Sequence, residues 1–159
     1  MRVFARPDEV LGAVGERLGP GSWVQITQQR VDAFADATDD HQWIHVDRER
    51  SAAGPFGGTI AHGYLTLSLV PMLAAGLVAY QGCAATINYG TDRVRFPQPL
   101  RVGARIRASG AIASARETAA GVQVVLSWTV EIEDPATESG VSAKPACVAD
   151  VVVLLVPAA

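Results

Sequence analysis

The chain of 159 residues is the length of one domain, and at that size about 68–70% of the unfolded chain's surface can be buried, so a full core needs no staple. With 49% hydrophobic, 18% charged and 6% aromatic residues, the composition argues against disorder and against a nucleic-acid module built on stacked aromatics. A net charge of −3 leaves no global basic field to attract DNA or RNA, although all the cations but Lys144 are arginines.

Residues 1–21 read as a helical preamble. Pro7-Asp8-Glu9 suits the first turn of a short helix through about Arg17, with its acidic residues at the end the helix dipole favours. The N-terminus carries no apolar signal-peptide core, and a cytoplasmic protein is expected. Gly19-Pro20-Gly21 breaks the chain, and Trp23–Thr27 alternates like a strand. Thr27 then caps a helix in which Val31, Phe34 and Ala35 share one face, with Ala37 close to it. That helix ends at Thr38-Asp39-Asp40. Residues 39–46 are expected to be irregular, with a short helix from Asp47 and a turn at Gly54-Pro-Phe-Gly-Gly58.

A long apolar helix is predicted from Ala61 or His62 to Tyr80–Gly82. Its stretch Tyr64–Tyr80 is free of charge but only at the low end of membrane-spanning length, and Pro71 and Gly76 interrupt it. No Lys/Arg bias flanks it, and a helix apolar all round also suits a sheet-wrapped core. Residues 85–97, 103–116, 121–133 and 145–156 read as four long strands separated by turn signals. The order predicts a single α+β domain in which an antiparallel sheet wraps around a long central apolar helix. Cys83 and Cys147 lie in apolar surroundings without metal-type spacing, and are expected to be buried free thiols.

Three features could carry chemistry. The first is Thr38-Asp39-Asp40-His41-Gln42-Trp43-Ile44-His45-Val46-Asp47, which follows a cluster of acids (Asp36, Asp39, Asp40) at a helix C-terminus, where the dipole repels them. That placement, and any burial under Trp43, should raise a carboxyl pKa and set an acid beside an imidazole for proton transfer. The plain alternative is a solvated acidic loop anchored by Trp43 and Ile44. The second is Phe56-Gly-Gly-Thr-Ile-Ala-His62-Gly63, where a helix begins with free amides. At Gly63 a ligand oxygen could approach closely; alternatively the glycines serve turns and packing, with His62 a satisfied helix-start residue. The third is the run Arg93, Arg95, Arg101, Arg105 and Arg107, whose alternation suits either a phosphorylated ligand or a solvated face.

His41 and His45 are four apart, but the segment does not read as the helix an HxxxH metal site needs, and no metal is expected. A Ser–His–Asp triad with Ser68 or Ser51 lacks a nucleophile elbow.

Together the block Phe34–Asp47, with Asp40 and His45 five residues apart, and the Gly54–Gly63 segment ending Ile-Ala-His62-Gly63 resemble the MaoC-like dehydratase family, the (R)-specific enoyl-CoA hydratases of hot-dog fold. The form DHQWIH and the stretch Asn88–Pro99 resemble its NodN-like branch. The resemblance implies a catalytic dyad of Asp40 and His45, with the Gly63 amide as oxyanion donor to the thioester carbonyl. It implies an acyl-CoA or acyl-carrier thioester substrate, a homodimer, and no cofactor. Gln42 and Trp43 replace the family's usual Asn and Pro, and its deep-pocket serine falls near Pro71, one turn past Ser68. The expected reaction is reversible hydration of a trans-2-enoyl-CoA to the (3R)-3-hydroxyacyl-CoA, with no nucleic acid or membrane partner. The rivals are an acyl-CoA thioesterase and a non-catalytic NodN-like acyl-thioester binding protein. His41 is given no role.

Overall fold

The computed structural model describes residues 1–158. Four long strands carry the architecture: β5 (Cys83–Arg95), β6 (Arg105–Thr118), β7 (Gly121–Ile132) and β8 (Cys147–Pro157). They run antiparallel in the order β6-β7-β8-β5, and the short strands β2 (Arg17–Leu18) and β3 (Val24–Gln25) pair with the outer edge of β6. Each predicted long strand is found within a few residues of its expected limits.

β7 shows why the sheet has one wet and one dry face. Val122, Val124, Leu126, Trp128, Val130 and Ile132 are buried and their alternate neighbours are not, as a period of two requires. Trp128 fits because its cross-strand partner is Gly110: a Cβ there would lie 2.5 Å from the indole.

The helix inside the sheet is shorter than its apolar run suggests. It comprises α4 (Gly63–Ser68) and α5 (Val70–Ala74), nearly continuous because Leu69 N–H reaches Leu65 O and Leu73 N–H reaches Leu69 O. Leu65, Thr66, Val70, Leu73 and Ala74 bury against the sheet. Beyond Ala74 the expected helix is replaced by a turn and β4 (Val78–Tyr80). The reason is a partner invisible to local pattern: β4 pairs in parallel with β1 (Arg2–Phe4), and Phe4 stacks on Tyr80 with ring centroids 5.8 Å apart. The preamble is therefore β1, a 3-10 helix at Pro7–Ala13 and β2, rather than one helix to Arg17. No helix among the described residues is long and apolar enough to cross a membrane.

The remaining helices, α1 (Gln28–Thr38), α2 (Trp43–Val46) and α3 (Arg48–Ala52), pack in sequence order, α1 on α2 and α2 on α3. Thr27 caps α1 by accepting from the Arg30 N–H, and Asp47 caps α3 by accepting from the Arg50 N–H. Val31 and Ala35 are buried and Phe34 half-buried, whereas Ala37 is exposed. Cys147 is buried and Cys83 only half-buried; both are free, and burial raises both thiols, that of Cys147 to about 11.

Candidate active site

The catalytic candidates come together where α1 ends, α2 turns and α4 begins. Asp39 ends α1 in the left-handed region (φ 57°), which turns the chain back so that Asp40 faces the start of α4. Residues 43–46 form one helical turn rather than irregular chain, closed by the His45 N–H to Gln42 O at 2.9 Å. That turn drives His45 inward, leaving it 6% exposed.

The His45 ring is oriented by a single bond: Nδ1 lies 2.7 Å from Ile60 O. A carbonyl only accepts, so Nδ1 carries the hydrogen and Nε2 keeps the lone pair. Burial lowers the His45 pKa from its ordinary 6.5, opposed by the Ile60 carbonyl, reinforced by any charge on His62 and opposed again by Asp40. At neutral pH the imidazole is thus a neutral acceptor.

His62, expected only as a helix-start residue beside the Gly63 amide, belongs to the same cluster. Its ring stacks on His45 at 3.7 Å between centroids, and its Nε2 donates to Asp40 O at 2.9 Å, with the Asp40 carboxylate at 4.0 Å. One carboxylate or ring atom from each of Asp40, His45 and His62 lies within 4.8 Å of the other two. The available signal was the crowding of three histidines into residues 41–62, but helical spacing gave no way to pair His62 with His45. The ring planes lie 24° from parallel, and the two nitrogens that bond backbone carbonyls, His45 Nδ1 and His62 Nε2, carry hydrogens there and offer no lone pair. His41 stands apart: its Nε2 is 2.9 Å from Asp36 Oδ1 on the exposed end of α1, a pairing that raises the His41 pKa and offsets one of the clustered acids.

Other expectations are corrected. Asp40 is 56% exposed and is not covered by Trp43. The Trp43 indole packs instead where a Gly54 side chain would sit and under the Arg50 guanidinium, so this residue anchors the loop. Ser51 and Ser68 donate to the backbone carbonyls of Trp43 and Tyr64, and neither hydroxyl bonds a histidine ring, which leaves no serine nucleophile poised. The arginine stripe is largely spent within the sheet: Arg93 pairs with Asp150, Arg105 with Glu133 and Arg107 with Glu131.

Gly63 opens α4, so its N–H has no intrahelical acceptor. A side chain here would also meet Phe96, since a Cβ would stand 2.7 Å from its ring and the ring would have to shift.

A family model described as "MaoC like domain" matches residues 9–132. The chain is 49% identical over 154 residues to the 3-hydroxyacyl-thioester dehydratase Z of Mycobacterium tuberculosis, covering 96% of this chain and 97% of that protein. It is 43% identical over 129 residues to nodulation protein N of Rhizobium meliloti, covering 79% and 80%. Among solved structures, an R-hydratase from Pseudomonas aeruginosa matches with TM-score 0.68 at 20% identity over 91% of this chain and 83% of that one. The (R)-hydratase of A. caviae matches with TM-score 0.64 at 22% identity over 89% and 96%. These two likenesses show a shared hot-dog fold. With the family model spanning most of its length and both relatives aligned across most of theirs, the chain belongs to the MaoC-like dehydratase family.

Proposed function

We propose that this protein is an (R)-specific enoyl-CoA hydratase, adding water to a trans-2-enoyl-CoA to give the (3R)-3-hydroxyacyl-CoA and catalysing the reverse dehydration. The observation that carries the reading is His45: buried, held by Ile60 O through Nδ1, and with a ring nitrogen within 4.8 Å of an Asp40 carboxylate oxygen.

A water held between Asp40 and His45 Nε2 loses a proton to the pair as its oxygen bonds to Cβ. The electrons of the double bond move toward the thioester carbonyl, and the Gly63 N–H donates to that oxygen as it gains charge. The pair then returns a proton to Cα, so atoms and charge balance without a metal or redox cofactor. The reading draws support from the names of relatives that are dehydratases and hydratases.

The same reading includes a homodimer. β5 ends the sheet, its outer edge takes no strand among the described residues, and nearly all of its thirteen residues are exposed. Such an edge is a template for pairing unless covered, and Ile87, Tyr89, Tyr64 and Phe96 add exposed apolar surface.

Purified protein mixed with crotonyl-CoA should consume the enoyl-thioester absorbance without releasing free thiol, and Asp40→Asn and His45→Gln should each lose about 10²–10⁴-fold in kcat while retaining the wild-type circular dichroism. Thiol release in place of hydration would assign a thioesterase. Inertness towards every chain length, with binding retained, would assign a binding protein.

A further inference from the structure

Gln28, the first residue of α1, joins three segments through its side-chain amide, one of them the segment that carries His45. Its Nε2 donates to His45 O at 2.7 Å and to Asp32 Oδ1 at 2.7 Å, while its Oε1 accepts the Thr59 hydroxyl at 2.6 Å. The carbonyl and the carboxylate can only accept, so the amide has one orientation, and Asp32, one helical turn on, locks it.

These contacts close a frame around the imidazole. Gln28 holds the His45 carbonyl, and Ile60 O holds the His45 ring. Ile60 follows Thr59, which Gln28 also holds, and the Ile60 N–H returns to Ile44 O at 3.0 Å. Thr59 is buried, so water competes weakly for its hydroxyl.

We propose that Gln28 is a positioning residue for the reaction: it fixes the His45 backbone and, through Thr59, the Ile60 carbonyl that keeps the hydrogen on Nδ1 and the lone pair on Nε2. Gln28 acts through these neighbours and takes no part in proton transfer. Its kinetic consequence rests on the hydratase reading; its effect on the His45 tautomer does not.

The experiment compares Gln28→Met, Thr59→Val, their double variant and Thr59→Ser by imidazole ¹⁵N–¹H spectra and by crotonyl-CoA kinetics. Wild-type His45 should give the pattern of an Nδ1–H tautomer. In Gln28→Met and Thr59→Val the His45 resonances should move toward a mixture of tautomers. In the same variants kcat should fall about 10- to 100-fold, the scale of an ångström-level displacement of a catalytic group, with KM little changed. The double variant should be no worse than the poorer single variant, because both break one frame, and Thr59→Ser should restore both readouts. An unchanged tautomer in Gln28→Met and Thr59→Val, or equal losses in Thr59→Ser and Thr59→Val, overturns the proposal. Should Gln28→Met fail to fold, the Thr59 pair decides alone. A wild type that hydrates nothing would sink the hydratase reading, while the spectra would still judge Gln28.

Discussion

The imidazoles of His45 and His62 lie face to face, their centroids 3.7 Å apart and their planes 24° from parallel. His62 thereby touches both halves of the proposed dyad, since its Nε2–H also holds the Asp40 carbonyl. Burial is the chief reason that the His45 pKa is lowered, and any charge on the stacked His62 ring lowers it further. Activity that needs a neutral His45 should therefore persist below the ordinary imidazole range, with the acid limb of kcat/KM under pH 6.5. His62→Phe keeps a stacking ring but removes the neighbouring charge and the bond to Asp40 O. Its acid limb should move to higher pH, and its kcat should fall; a pH–rate profile identical to wild type would remove His62 from the site.

Stability carries the same signature with a definite sign. The lowered His45 pKa means that the unfolded chain binds more protons between the folded value and 6.5, so stability falls as the pH drops through that window and levels off below it. His41 acts oppositely: its pKa is raised by Asp36, so its contribution is full below 6.5 and is lost as the pH rises through its folded value. His41 is exposed and its pairing is screened by solvent, so urea melts across this range should follow His45, and His41→Ala should leave the trend in place.

The backbone plan was legible where it rests on local pattern. Alternation marks β6 and β7, Thr27 caps α1 as read, and a short helix does begin at Asp47, which caps it. What escaped depends on contacts distant in sequence. Val78–Tyr80 continues an apolar run and reads as helix until Arg2–Phe4 arrives to pair with it. The arginines at 93, 105 and 107 read as a basic stripe because their acidic partners lie on neighbouring strands. His62 and Gln28 escaped for the same reason, since each reaches the site through partners 17 or more residues away.

Gly63 is constrained by both chemistry and packing, and two substitutions separate these. Gly63→Ala places a methyl group on the Phe96 ring, and overpacking of this kind costs about 1–3 kcal/mol. Phe96 is 39% exposed and can swing away, so the lower end is expected, read as a fall in Tm of about 2–4 °C. Adding Phe96→Ala should recover that Tm. Recovery of kcat in the double variant would show that Phe96 displacement, not access to the amide, caused the loss; persistence of a low kcat would keep Gly63 as the oxyanion donor.

The uncovered edge of β5 makes a prediction about assembly. A stable homodimer buries about 1,200–2,000 Å² in total, and a thirteen-residue strand with the adjoining Tyr64 and Phe96 is a suitable core for such a face. Charges on an edge strand oppose pairing. Sedimentation should give a dimer for the wild type and a monomer for the Ile87→Lys/Tyr89→Lys double variant. A wild type that sediments as a monomer and is fully active would dispose of the dimer.

The last prediction concerns the phosphates of a coenzyme A substrate. Arg93, Arg105 and Arg107 are already paired with carboxylates, and Arg107 is further held over the Trp23 ring at 4.4 Å. Arg95 and Arg101 have no carboxylate within salt-bridge distance among the described residues, and they flank the segment whose Phe96 ring lies on Gly63. Arg101 also donates to Gly57 O, in the loop that leads to the start of α4. Arg95→Ala and Arg101→Ala should each raise KM for crotonyl-CoA about two- to fivefold at low salt, the worth of an exposed ionic contact, with the difference shrinking as salt is added. Arg105→Ala and Arg107→Ala should leave KM unchanged, since their charge is cancelled within the sheet. If instead the paired arginines control KM and the other two do not, the substrate phosphates lie along the sheet and must displace Glu131 and Glu133 from their present partners.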